Sequence, residues 1–410
     1  MPRLLLAYHF FHPDDVVSAR IFSDFAVEQQ RRGWEVSVVT SNRSCFDPAR
    51  TYPPFEDWNG IQIHRVFRPP WTQARPFQRL GNSGWMTAAW LYQIARLGSF
   101  DAVVVGSDPA FCASLGRGLR RLLPGAALVH WCFDVYPEAI AAEGGNAAVR
   151  ALVPIARRLM KWSYGAYDEL VDIGPRMRER LAEYGPEAQR TAVPWALAEP
   201  PGPALAEPRA RATLYPRAKL ALLYSGTMGR AHDHRAFLAL ARACRGRSGD
   251  EVGFCFSSRG NRQDELRAAV TPADSNVTFV PFADEQALED RLGAADLHLV
   301  SLQPEWAGIV VPSKFFGSLA VGRPVLYAGP GDSEIARWVA EYDVGLTLHG
   351  DAALGPIVDR LHGLIADPAA LARWQANAFA VYQRAFSKKV INDGWDQALR
   401  GLIARRAAAG

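Results

Sequence analysis

Short apolar runs alternate with longer stretches of helical periodicity along nearly the whole chain. Leu4–His9 is a strand-length apolar run, the amphipathic stretch Ser18–Arg32 follows and stops at Gly33, and the β-branched run Glu35–Thr40 comes next. Strand, helix, glycine stop and strand in that order predict a parallel βαβ unit. Ile61–Phe67, Ala102–Gly106, Ala127–Phe133 and Glu169–Ile173 read as further strands. Helices are expected near Trp85–Leu97, over Ala148–Tyr164 and over Arg176–Tyr184, the last ending at Gly185.

Between Glu199 and Pro216 the pattern lapses into Pro, Ala and Gly with little periodicity, which marks a domain boundary. A second series follows, with strands expected at Lys219–Ser225, Gly253–Ser257, Val277–Val280, Leu297–Ser301 and Pro324–Ala328. The expected organisation is α/β: residues 1–200 form one Rossmann-like parallel-sheet domain and residues 201–385 a second. Two such domains in succession predict a cleft at the carboxyl ends of both sheets.

Length agrees, since 410 residues exceed one ordinary core. A formal charge of +4 with Lys and Arg scattered along the chain argues against a nucleic-acid partner. The five cysteines, Cys45, Cys112, Cys132, Cys244 and Cys255, show no CxxC spacing, which disfavours disulfides and zinc. The opening run is too short for a signal peptide. No stretch approaches the ~18 apolar residues of a membrane span, so a cytoplasmic protein is expected.

Two segments carry the chemistry of anion binding. Tyr224-Ser225-Gly226-Thr227-Met228-Gly229-Arg230 lies where the first strand of the second domain gives way to a helix. Its glycines permit close backbone approach, the helix start is electropositive, and Arg230 adds a full charge. The same glycines also suit a plain strand-to-helix turn. Neither GxxxxGK[ST] nor GxGxxG is present. The second segment is Trp306–Lys314, running into Phe315–Ala320 and Gly322-Arg323-Pro324-Val325. Pro312, Ser313 and Lys314 begin a helix whose amides and ammonium group can hold phosphate. A lysine near a helix start is often only solvated surface, but its neighbours here are apolar.

Taken in order, several short segments resemble the retaining glycosyltransferases of family 4, with GT-B architecture, and in particular their bacterial polysaccharide and glycolipid branch. They are Ser18–Thr40 with Arg31-Arg32-Gly33-Trp34-Glu35-Val36, Asp134-Val135-Tyr136-Pro137-Glu138, Ile173–Met177, and Val193-Pro194-Trp195-Ala196. Tyr224–Arg230, Val280-Pro281-Phe282, Ala294-Ala295-Asp296, Gly308–Lys314 and Ala320–Val325 complete the series.

The resemblance implies a second domain that grips a nucleotide diphosphate-sugar. Ser225, Gly226, Arg230, Ser313 and Lys314 would meet the diphosphate. Arg259, Val280 and Phe282 would border the base, and Gly308, Ile309, Val310 and Val311 would line the sugar and distal phosphate. It further implies catalysis with neither metal nor separate cofactor, cations and helix dipoles stabilising the leaving group. A UDP-sugar is the favoured donor and a GDP-sugar the alternative. The stretch 386–410 would cross back to the first domain, making a hinge. Two departures stand out: Gly317 holds the place of the ribose-binding glutamate, and Phe133 that of a histidine.

On the first domain, Asp134 at a strand end is the leading polar candidate for catalysis beside Arg230 and Lys314, although such a residue is often a cap. His9, His12, Asp14, Asp15, Arg20 and His130 form the acceptor-side set, with structural use of the histidines equally open. The pair His232 and His234 has metal-like spacing but no third ligand. Basic amphipathic segments, Arg150–Lys161 and Arg117–Arg121 with Trp71 and Trp85, fit either peripheral contact with the inner face of the cell membrane or solvated surface. The expected activity is sugar transfer to a hydroxyl of a glycan, glycolipid or small molecule. The rivals are a GT-B epimerase or coupling enzyme and an inactive GT-B binding subunit.

Overall fold

The computed structural model of the protein describes all residues except 72–75, 145–146, 186–188, 198, 206–207, 283–284, 350–353 and 410. Its chain divides into two compact units. The first comprises Met1–Val193, Gly308–Val310 and Ile391–Gly410, and the second Pro194–Ala307 and Val311–Val390. The division therefore falls at Val193–Pro194, several residues before the expected boundary, and the triplet Gly308–Val310 belongs with the first unit. The terminal segment joins the first unit from Ile391 rather than from 386.

The strands of the first unit are β1 (Arg3–Ala7), β2 (Glu35–Ser41), β3 (Phe55–Trp58), β4 (Ile61–Val66), β5 (Ala102–Val105), β6 (Ala127–Trp131), β7 (Glu169–Asp172) and β8 (Gln189–Thr191). They form one sheet in the order β3-β4-β2-β1-β5-β6-β7-β8, parallel throughout except that β3 runs against β4. Its helices are α1 (Val17–Arg31), α2 (Pro76–Leu97), α3 (Leu115–Leu122), α4 (Glu138–Ala142), α5 (Ala147–Tyr164) and α6 (Pro175–Ala182). Central strands read as unbroken apolar runs because helices bury both sheet faces: Leu4, Leu5, Leu6, Val103, Val104 and Val105 are fully buried.

In the second unit α7 (Pro208–Leu214) precedes β9 (Leu220–Thr227), α8 (Arg235–Ser248), β10 (Val252–Arg259), α9 (Asn261–Ala269), β11 (Val277–Phe279) and α10 (Glu285–Gly293). Then come β12 (Leu297–Ser301), α11 (Lys314–Ala320), β13 (Val325–Ala328), α12 (Glu334–Tyr342), β14 (Gly345–Leu348), α13 (Leu354–Ala366) and α14 (Pro368–Val381). The sheet is parallel throughout, in the order β11-β10-β9-β12-β13-β14.

The helical chain that follows α14 is interrupted. After a wide turn at Tyr382–Phe386, Ser387 is extended and α15 (Lys388–Ala409) begins anew. Glu199 holds this break, accepting from the Tyr382 hydroxyl at 2.5 Å and the Lys388 amide at 2.6 Å. Within the first unit, Trp395 of α15 is fully buried, its ring 5.1 Å from Phe25 and 4.9 Å from Trp131. Trp34 Nε1 donates to Asp396 at 2.7 Å. Among the described residues no helix is long and apolar enough to cross a membrane.

Candidate functional site

Strand order reverses around β1 in the first sheet and around β9 in the second, and at such switch points the loops beyond adjacent strands part and leave a crevice. In the second unit these are the loops after β9 and β12. Gly226, near the end of β9, has φ +121°, and a Cβ there would lie 2.9 Å from Lys314 Cε. Glycine is thus required both for the backbone and for room beside the lysine.

Lys314 opens α11 and folds back over this strand end. Its Nζ donates to the Thr227 carbonyl at 2.7 Å, lies 3.4 Å from His232 Nε2, and sits 5.2 Å from the centre of the Tyr224 ring. His232 Nδ1 stands 2.8 Å from the Ser301 carbonyl. A carbonyl only accepts, so Nδ1 carries the proton and Nε2 turns its lone pair to the ammonium. Burial, with the Lys314 charge adding to it, lowers the His232 pKa to about 3. Burial alone lowers that of Lys314 to about 7.

The loop is tied down from the neighbouring strand: Asp233 N donates to Ser301 Oγ at 3.1 Å and Gln303 N to the Ala231 carbonyl at 2.8 Å. Ser301 and Gln303 were not singled out in the sequence, and His232 was open to either solvent or phosphate. Ser301 ends a predicted strand and Gln303 follows it, which was their linear signal.

The other expected donor residues fall around this centre with varied exposure. Arg230 is exposed on the loop, and Ser225, Val310 and Ser313 are half-buried. The Arg259 guanidinium lies 4.4 Å from the centre of the exposed Phe282 ring, a flat cationic and aromatic pair beyond β10 and β11. Val280 N donates to Phe256 O at 3.1 Å. Ile309 and Val311 are buried, as is Gly308, and Ile309 O accepts from Val135 N of the first unit, to which that triplet belongs. Amides at the start of α11 contribute less than the sequence implied, since Phe315 N is bonded to Pro312 O and Phe316 N to Ser313 O. Charge at this turn comes from the Lys314 side chain. Arg323 has a scaffold role: it is buried and donates to the carbonyls of Ala204, Gly293 and Ala295 at 2.6–2.8 Å.

In the first unit, polar groups collect beyond β1, β5 and β6, which are adjacent in the sheet. Ser107 Oγ accepts from the amides of Phe133 and Asp134, each at 3.1 Å. Asp108 Oδ2 lies 2.9 Å from Nδ1 of His9, a residue only 1% exposed. Burial, assisted by the charges of Asp108 and Glu143, raises the Asp134 pKa to about 7. Glu143 itself is gripped by Arg79 through two bonds of 3.0 and 3.2 Å. Asp108 and Ser107 were missed in the sequence. They follow the predicted strand Ala102–Gly106 just as Asp134 follows Ala127–Phe133, and that parallel was the available clue.

Other members of the expected acceptor set are engaged in local contacts. His130 is 1% exposed, packed between Tyr164 and Tyr167, and burial lowers its pKa to about 3, so it is a core residue that no acceptor can touch. His12 stacks on Trp58 with ring centres 4.2 Å apart. Asp14 is buried and spends its carboxylate on Cys45 N and the Tyr52 hydroxyl. Asp15 is exposed and pairs with Arg20 at 3.3 Å. Glu138, the first residue of α4, is buried between Arg157 and Tyr184. Among the described residues no group of three His, Cys, Asp or Glu side chains is placed to hold a metal ion.

Two parallel α/β units, each with polar groups collected at its switch point, make up the GT-B architecture of sugar transferases. The same fold is found in sucrose-phosphate synthase from Thermosynechococcus elongatus, 17% identical with a TM-score of 0.73 over 99% of this chain and 100% of that one. It recurs in HepE from Anabaena, solved in complex with UDP, 13% identical with a TM-score of 0.66 over 98% of this chain and 100% of that one. Residues 18–194 match the family model of the glycosyl transferase 4-like domain. The probable glycosyltransferase WbjE of Pseudomonas aeruginosa is 24% identical over 270 residues, covering 64% of this chain and 66% of the relative, just under two thirds of its length. Over residues 18–194 the chain is thus similar to the glycosyl transferase 4-like domain, and along its length it shares the GT-B fold.

Proposed function

We propose that the protein moves a hexose or modified hexose from a nucleotide diphosphate-sugar to a hydroxyl of a glycan, glycolipid or small-molecule acceptor, with retention at the anomeric carbon. The observation that carries this reading is Lys314, a desolvated ammonium held beside Gly226 by a carbonyl, a neutral imidazole and an aromatic face. None of these neutralises it; a diphosphate would. In transfer the bond from the anomeric carbon to the β-phosphate oxygen breaks and a bond to the acceptor oxygen forms. The departing diphosphate takes the negative charge, stabilised by Lys314 and Arg230 in place of a metal ion or other cofactor. The acceptor proton passes to that phosphate or to a carboxylate such as Asp134, whose raised pKa suits proton exchange near neutrality.

The Arg259–Phe282 pair offers a flat surface for the base, and a UDP-sugar is the favoured donor, with a GDP-sugar the alternative. That HepE is solved with UDP and with UDP-glucose supports the preference. We place the enzyme in the cytoplasm, in peripheral contact with the inner face of the cell membrane. Release of nucleotide diphosphate from UDP- and GDP-sugars, measured across a broad acceptor panel, tests the reading. Release that depends on acceptor and is lost in Lys314→Ala supports it. Nucleotide binding with no turnover on any donor would instead identify an inactive binding subunit.

A further inference from the structure

The first unit carries a surface that its fold leaves unexplained. Four large apolar side chains of α5 face solvent: Leu152, Ile155, Leu159 and Trp162 are 60%, 67%, 50% and 52% exposed. Their spacing of three, four and three residues puts them within an arc of about 80° on a helix turning about 100° per residue. They form one unbroken apolar stripe. Isolated exposed apolar residues need no explanation, but a stripe three turns long does.

The charges beside the stripe have one sign. The chain holds 42 acidic residues in 410, yet α2, α3 and α5 contain no Asp or Glu at all. These three helices touch in the order α2, α3, α5. Arg158 and Lys161 are exposed on α5 itself. From α3, Arg117 donates to the Trp162 carbonyl at 2.8 Å and lays its guanidinium 4.9 Å from the centre of the Trp162 ring. Among the described residues no carboxylate pairs with Arg117, Arg158 or Lys161. Elsewhere in the same unit cations do pair, as Arg120 with Asp168 at 2.8 Å and Arg157 with Glu138 at 2.9 Å. An apolar stripe lying along a helix, edged by unpaired cations and ending in a tryptophan, matches the layered chemistry of an anionic bilayer surface: acyl chains below, phosphate headgroups above.

We infer that α5, with the adjoining face of α3, is the surface by which this enzyme rests on anionic lipid, the apolar stripe entering the acyl boundary and Arg117, Arg158 and Lys161 meeting headgroup phosphates. This specifies the peripheral contact proposed above, and it stands or falls on lipid binding rather than on sugar transfer, so either can fail alone. The test is co-sedimentation of the full chain with phosphatidylcholine vesicles containing or lacking phosphatidylglycerol. Binding is expected only to the anionic vesicles and to weaken with salt. The double variant Ile155→Glu/Leu159→Glu should abolish it, and Arg158→Gln/Lys161→Gln should weaken it by about fivefold per cation removed, with thermal unfolding midpoints unchanged because all four side chains are exposed. Equal binding to both vesicle types, failure of the wild type to sediment, or retention of binding by the Glu variant would overturn the inference. So would concentration-dependent self-association that the Glu variant removes, because the stripe would then cover a second copy of the chain.

Discussion

Donor binding is expected to consume a proton at Lys314, and the effect can be worked out from its surroundings. In the ligand-free site burial holds this lysine at about 7. The groups facing it are Thr227 O, His232 and Tyr224. His232 is neutral throughout the working range, its pKa lowered to about 3, and Tyr224 is kept un-ionised by burial. At pH 8, one unit above its pKa, Lys314 is protonated in only about a tenth of the molecules. A bound diphosphate supplies the missing opposite charge and raises the pKa again. Binding near pH 8 should then take up close to one proton, and affinity, full below pH 7, should fall about tenfold per pH unit above it.

UDP-glucose and GDP-glucose are suitable probes, because their phosphodiesters do not titrate near neutrality; the one that raises the melting point is used. Calorimetry in phosphate and in Tris buffer reads the proton directly from the difference in binding enthalpy. Lys314→Met should abolish the uptake and weaken binding at pH 6.5 by about ten- to a hundredfold, the worth of a charge-assisted hydrogen bond of ~1.5–3 kcal/mol. No proton uptake at pH 8 by the wild type, or the same uptake in the variant, would refute the reasoning.

Three further outcomes are expected. Gly226→Ala should cost about 1–3 kcal/mol of stability from strained backbone and displace Lys314, lowering both the melting point and nucleotide affinity. Gly229→Ala, whose Cβ would meet nothing within 4 Å, should change neither. A Cβ at Gly317 would likewise enter open space. There Gly317→Ala should stabilise α11 by about 0.5–1 kcal/mol, while Gly317→Glu should in addition tighten binding of the nucleotide ribose. Equal nucleotide affinity in the two variants would remove that role from the position. Asp134→Asn should slow transfer by about 10²–10⁴-fold if its carboxylate takes the acceptor proton, and should flatten the pH–rate profile near 7. Because the folded-state pKa of Asp134 is raised above its unfolded value, stability is lost as pH climbs from about 4 through 7. The Asn variant should lack that loss, which urea titrations at pH 5 and pH 8 would reveal.

Local order along the chain determined much of this protein. Alternating apolar runs and helical periods are enough to write two parallel α/β sheets, because each strand buried on both faces must be apolar throughout, as Leu4–Ala7 and Ala102–Val105 are. The glycine turn at Gly226 and the helix start at Lys314 were also legible as local features, but their approach to one another was not. Three of the edge strands were not legible: β3, β8 and β14 are only three or four residues long, so their pattern is faint. Partnership across long stretches of sequence belonged to tertiary structure alone. The bond between His9 and Asp108 spans 99 residues, and the contact between His232 and Lys314 spans 82. Burial was decided there as well. His130 lies in the core and Asp134 close by at a strand end, although both come from one predicted strand and its edge. A linear pattern encodes which residues share a local face, but the electrostatic state of a site depends on what the fold packs against that face and how much water it removes.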